Sequence, residues 1–128
     1  YGYSTYIPKE GFSFRDAGGE VRFGGYAVDI WTSEENADVW FAVVNLNTTY
    51  FNEVFQWGLS VGGSDYNLYE DNSGGVSGES ADGTQFLSIS FQEKDFNGIY
   101  AVIRNYPIAE TDNLSAYVKI MADQFQAE

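Results

Sequence analysis

The residues best equipped for chemistry lie between Gly62 and Gly83, in the stretch GGSDYNLYEDNSGGVSGESADG. Asp65 and Asn67 project from one side of an expected short strand, Asp65 to Tyr69. Glu70, Asp71 and Asn72 follow directly, with Glu79 and Asp82 close behind. Carboxylates and side-chain amides on a bendable backbone are what a hard cation takes as ligands. Calcium is therefore the expected cofactor, held by Asp65, Asn67, Glu70, Asp71 and Asn72. The spacing is not that of an EF-hand, because the fifth position from Asp65 is Tyr69 and no glycine follows it. The competing reading is a solvated loop rich in turn formers.

Catalysis has few candidates. The chain contains no histidine, the usual general base near neutral pH, and no cysteine, so thiol chemistry, disulfides and thiolate metal sites are excluded. Gly75-Val76-Ser77-Gly78-Glu79 approaches a nucleophile elbow but lacks its last glycine. Two carboxylates can hydrolyse a glycoside without histidine, and Asp29, Glu53, Asp65 and Glu93 are available. Nothing in their spacing pairs any two, and the chain is expected not to be an enzyme. Two sequons, Asn47-Thr48-Thr49 and Asn113-Leu114-Ser115, fall in expected loops, which makes Asn47 and Asn113 the candidate glycosylation sites. Trp31, Trp40 and Trp57 with ten tyrosines could stack on sugar rings, although Trp57 sits in the apolar register of its segment and reads as core.

These side chains need elements to position them, and the chain supplies β-like runs. One domain's worth of sequence, 128 residues with 44% hydrophobic and 18% aromatic content, is enough for a real core. Nineteen acidic against six basic residues give a net charge of −13, which disfavours nucleic acid and anionic lipid. No apolar run approaches the roughly 20 residues that span a bilayer. An opening at Tyr1 without Met or an apolar leader fits a processed chain whose ends are held by neighbours, or one trimmed at its ends.

In order, Tyr1 to Ile7 reads as an extended aromatic arm closed by Pro8. Phe12–Arg15 and Glu20–Phe23 read as a hairpin around Asp16-Ala-Gly-Gly, and Tyr26–Trp31 as the next strand. Val39–Leu46, apolar on both faces, is the expected central strand. Phe55, Trp57, Leu59 and Val61 alternate at period two and predict a strand over Val54–Val61. Phe86–Phe91, Ile99–Asn105 and a final alternation through Ala116, Val118, Ile120 and Ala122 complete about eight strands with no convincing helix. The expected fold is all-β, an antiparallel β-sandwich, jelly-roll-like, with residues 1–8 as an N-terminal arm and 9–128 as a single domain.

From Asp65 onward the chain resembles the bacterial pre-peptidase C-terminal domain family. The matching pieces are Asp65-Tyr-Asn67-Leu68-Tyr69, the loop to Gly83, Phe86-Leu-Ser-Ile-Ser-Phe91, Gly98-Ile-Tyr100-Ala-Val102-Ile-Arg104 and Ser115-Ala-Tyr-Val-Lys-Ile120. The likeness covers under half the chain, and the N-terminal half departs from it. It implies a secreted, non-catalytic β-sandwich stabilised by a cation.

The leading expectation is an extracellular or cell-surface structural or adhesive subunit that self-associates into a homo-oligomer or filament. Tyr1, Tyr3, Tyr6 and Ile7 would add as a strand to a neighbour's sheet edge. The alternative is a carbohydrate-binding module with a polysaccharide partner. Neither reading involves nucleic acid or membrane insertion.

Overall fold

The computed structural model describes residues 3–46, 51–93, 98–109 and 113–127. Its centre is the segment that is apolar on both sides. A strand of that kind is stable only when both of its faces are covered. The strands are β1 (Tyr3–Ser4), β2 (Phe12–Asp16), β3 (Ala27–Ser33), β4 (Trp40–Leu46), β5 (Tyr66–Glu70), β6 (Val76–Ser80), β7 (Gln85–Glu93), β8 (Ile99–Pro107) and β9 (Gln126–Ala127). Seven of them form one antiparallel sheet in the order β2-β3-β4-β8-β7-β6-β5, and β1 pairs with β9 in a second, two-stranded sheet. The chain is thus all-β and antiparallel, a layered β-sandwich as the alternation predicts. Its strands divide seven and two between the sheets.

β4 and β8 lie side by side in the middle, in register from Trp40 opposite Asn105 to Leu46 opposite Ile99. Alternation sends their side chains into two separate cores. Ala42, Val44, Leu46, Ile99, Ala101 and Ile103 enter the larger one. Val39, Phe41, Val43, Tyr100 and Val102 enter the smaller.

Two segments expected as strands are helices. α1 (Phe51–Ser60) covers the larger core and α2 (Asn113–Asp123) the smaller. In α1 the alternation of Phe55, Trp57 and Leu59 competes with a second pattern, Val54, Gly58 and Val61 at i, i+4 and i+7. That second set is the buried one. A β-carbon on Gly58 would lie 3.2 Å from Phe91 and from Val76, so the helix rides close on β6 and β7. In α2 the buried pair is Val118 and Met121, continued by buried Phe125 after the helix, while Ile120 is exposed. Period-two spacing is ambiguous in short apolar segments, and the demand for cover over each sheet face decides it. The strand expected at Ser115–Ile120, the last piece of the family resemblance, is therefore helical.

Two turn regions also differ. Val21–Phe23 is a 3₁₀ turn, and β2 instead pairs with β3, from Phe12 opposite Ser33 to Asp16 opposite Asp29. The acidic stretch is a hairpin, not an open loop: Val76–Ser80 is a strand, buried at four of its five positions and flanked by β5 and β7. A β-carbon on Gly78 would lie 2.0 Å from the Asn67 carbonyl oxygen, so glycine is what lets β5 and β6 pair there.

The N-terminal arm is folded onto its own sheet. The Tyr3 ring packs 5.5 Å from Tyr100 and 5.3 Å from Phe125, its hydroxyl donates to Asp29, and Ile7 packs on the smaller core. Thr5 donates to the Met121 carbonyl at the end of α2. These contacts are within one chain, which corrects the expectation of an arm extended away from the domain.

Gly78→Ala should destabilise the protein by about 3 kcal/mol in urea denaturation, because the clash is with backbone that cannot rotate away. Tyr3→Ala should cost about 2 kcal/mol by the same measurement, since a half-buried aromatic leaves its core. A free arm would show no change.

Candidate functional site

α1 stops at Ser60, and the chain that follows it borders a cleft of about 910 Å³, within the size range of small-ligand sites. The 3₁₀ turn at Val21–Phe23 forms one wall, and the chain from Ser60 to Tyr66 forms the other. Trp40 from β4, Gln85 and Leu87 from β7, and the turn carrying Ala81 and Asp82 complete it.

Its aromatic surfaces are held in place by specific contacts. The Trp57 indole Nε1 donates to the Phe23 carbonyl at 3.0 Å, and the ring stands edge-on to Tyr26. Trp40 packs edge-on to Phe23. The Arg22 guanidinium lies 4.5 Å from the Phe23 ring centre and 5.3 Å from that of Trp40, a cation–π arrangement. Its Nε is 3.4 Å from Glu20, which also pairs with Arg15.

Behind these rings runs a buried polar network. Asn105 is fully buried in β8, in the same register as Ile99, Ala101 and Ile103. Its Nδ2 donates to the Asp38 carbonyl at 2.7 Å and to Gln85 Oε1 at 2.8 Å. The Tyr66 hydroxyl donates to Asn105 Oδ1 at 2.5 Å. Burial raises the phenol above its ordinary value, and the negative charges of Asp38, Asp65 and Asp82 add to the effect against the hydrogen bond to Asn105. Tyr66 therefore stays a neutral donor, fixed at the cleft.

Asp82 serves the turn beside the cleft. Its Oδ1 accepts from the Ser80 and Thr84 hydroxyls at 2.6 and 2.7 Å and from the Thr84 N–H at 3.0 Å. Those donors lower its carboxyl from 3.8 to about 2. Asp71 works similarly in the β5–β6 turn, accepting from the Ser73 N–H and hydroxyl and from the Gly75 N–H. Burial pushes the Asp71 carboxyl up, but these donors outweigh it and the net shift is downward. Flat aromatic rings, a fixed phenol and amides, and carboxylates at the rim can stack on a ring-shaped ligand and hydrogen-bond its hydroxyls.

The residues singled out in the sequence are placed as follows. Asp65 lies in the 3₁₀ turn before β5 and lines the cleft, whereas Glu70, Asp71 and Asn72 lie at the far end of that strand. Five residues of strand separate the two groups by roughly 16 Å, so Asp65, Asn67, Glu70, Asp71 and Asn72 do not converge. Among the described residues no three acidic side chains cluster as a metal site would. Asp71 spends its acceptors on its own turn, and these residues do not fit calcium as a set. Ser77 is buried inside β6, away from any elbow geometry.

Asn47 and Tyr1 lie outside the described residues. Asn113 opens α2 instead of lying in a loop. Of the expected self-association residues, Tyr3 and Ile7 are committed to the chain's own core, and Tyr6 is 42% exposed. Sequence reasoning missed the cleft, because Trp40 and Trp57 both fall in apolar runs. The available signal was Asn105, an amide in line with three aliphatic positions of a central strand.

Comparison with protein-family models finds no match, and comparison with curated proteins finds none either.

The depressed Asp82 carboxyl predicts a pH dependence. Its stabilisation is complete above the unfolded value of 3.8 and is lost as pH falls through that value toward about 2. Asp82→Ala should lower the thermal midpoint at neutral pH, and the gap to the unmodified protein should narrow as pH drops from about 5 to about 2. A gap independent of pH would show that the carboxylate's charge is not what the turn uses.

Proposed function

We propose that the protein is a non-catalytic carbohydrate-binding module of a secreted system, with the cleft between Trp40, Trp57 and Tyr66 as its binding site. The carrying observation is the combination of two indoles and a phenol held rigidly around an open cavity, backed by a satisfied amide network. Pyranose rings present apolar C–H faces to aromatic planes and hydroxyls to planar amides and carboxylates. The site offers both kinds of partner within a single corner. Its aromatic residues are positioned before any ligand arrives, which reduces the ordering cost of binding.

Self-association by N-terminal strand addition is the weaker reading. It would require Tyr3 and Ile7 to leave a core in which they are already packed.

Titration of intrinsic tryptophan fluorescence with short soluble oligosaccharides tests the proposal. A saturable change is expected for at least one glycan, and Trp57→Ala should weaken that binding by about tenfold or more, near 1.4 kcal/mol. Tyr66→Phe, which keeps the ring, should weaken it less and serves as the check on folding. An unchanged spectrum across neutral, acidic and amino-substituted oligosaccharides would overturn the reading.

A further inference from the structure

The charge around the cleft narrows the class of ligand, given the proposed glycan-binding reading on which this step rests. Asp38, Asp65 and Asp82 all line the cavity, and among the described residues Arg22 is the only basic one that lines it. The three carboxylates come from separate segments, whose main chains are held by hydrogen bonds beside the cavity. Asn105 holds the Asp38 main chain at 2.7 Å, and the Ala81 N–H donates to the Asp65 carbonyl at 2.7 Å. Arg22 stands apart from them, over Phe23 and Trp40, with Glu20 as its partner.

Asp82 has only neutral hydrogen-bond donors at its Oδ1, so its negative charge is held in place without being cancelled. The field of all three carboxylates reaches the cavity, because each contributes to the upward shift of the Tyr66 phenol. An acidic sugar would meet that field as repulsion, and a neutral one would gain little from it. A cation gains twice, from the carboxylates and from the negative faces of the indoles. The guanidinium of Arg22, seated 5.3 Å from the centre of Trp40, shows within the molecule that this wall accepts a positive charge.

We infer that the cleft selects glycans carrying free amino groups, such as glucosamine oligomers, with an ammonium directed to the Asp38–Asp65–Asp82 end.

Isothermal titration with three probes of equal length tests this: a glucosamine oligomer, its fully N-acetylated form and an oligogalacturonate. The glucosamine oligomer is expected to bind about tenfold or more tightly than the acetylated form, with affinity falling as salt rises. The oligogalacturonate should show no heat of binding. Asp82→Asn keeps the acceptor that holds the turn, and Asp65→Asn alters an exposed residue. Each should reduce the ratio of amino-form to acetylated-form affinity by about threefold. Equal or tighter binding of the acetylated or acidic probe would overturn the inference and leave the glycan-binding site standing. Absence of heat with all three probes would overturn both.

Discussion

Two neighbouring strands with apolar side chains on both faces set the terms for the rest of the molecule. β4 and β8 bury residues above and below the sheet, and neither strand could be stable with one face in water. The chain has to find two covers. It supplies α1 for one side, and α2 with the β1–β9 pair and the arm's Tyr3 and Ile7 for the other. Tyr3 and Ile7 of the N-terminal arm take part in that task by packing on the smaller core.

The candidate site follows from the same constraint. α1 is ten residues long and ends at Ser60, which borders the cleft. The cleft is flanked by two turns and open to solvent. Residues there must satisfy a core on one side and water on the other, which suits indoles, a phenol and amides. Asn105 shows the transition along a single strand. Three aliphatic side chains in the larger core give way to an amide behind the cleft, and three polar partners balance the cost of burying it.

Part of the acidic content is turn chemistry. Asp16, Asp71 and Asp82 each accept a hydrogen bond from the backbone N–H two residues on, at Gly18, Ser73 and Thr84. Asn36 does the same for Asp38. This local use of carboxylates and amides is why a run that reads as a cation loop is instead a tight hairpin. Asp82 also lines the cleft, together with Asp38 and Asp65.

By itself the sequence determined the all-β antiparallel class, the central position of Val39–Leu46, the strands at Phe86–Phe91 and Ile99–Asn105, and the absence of histidine and cysteine chemistry. These are consequences of composition and of side chains alternating along extended backbone, and both are local. Tertiary structure alone decided that Val54–Val61 and Ala116–Ala122 are helices, since each segment satisfies both periods and only the need to roof a sheet face selects one. It also decided that the arm folds inward and that Asp65 and Asp71 end up at opposite ends of a strand. The cleft belongs to the same category. Its residues come from positions 21 to 87 and lie within apolar runs or turns, and only the fold brings them around one cavity.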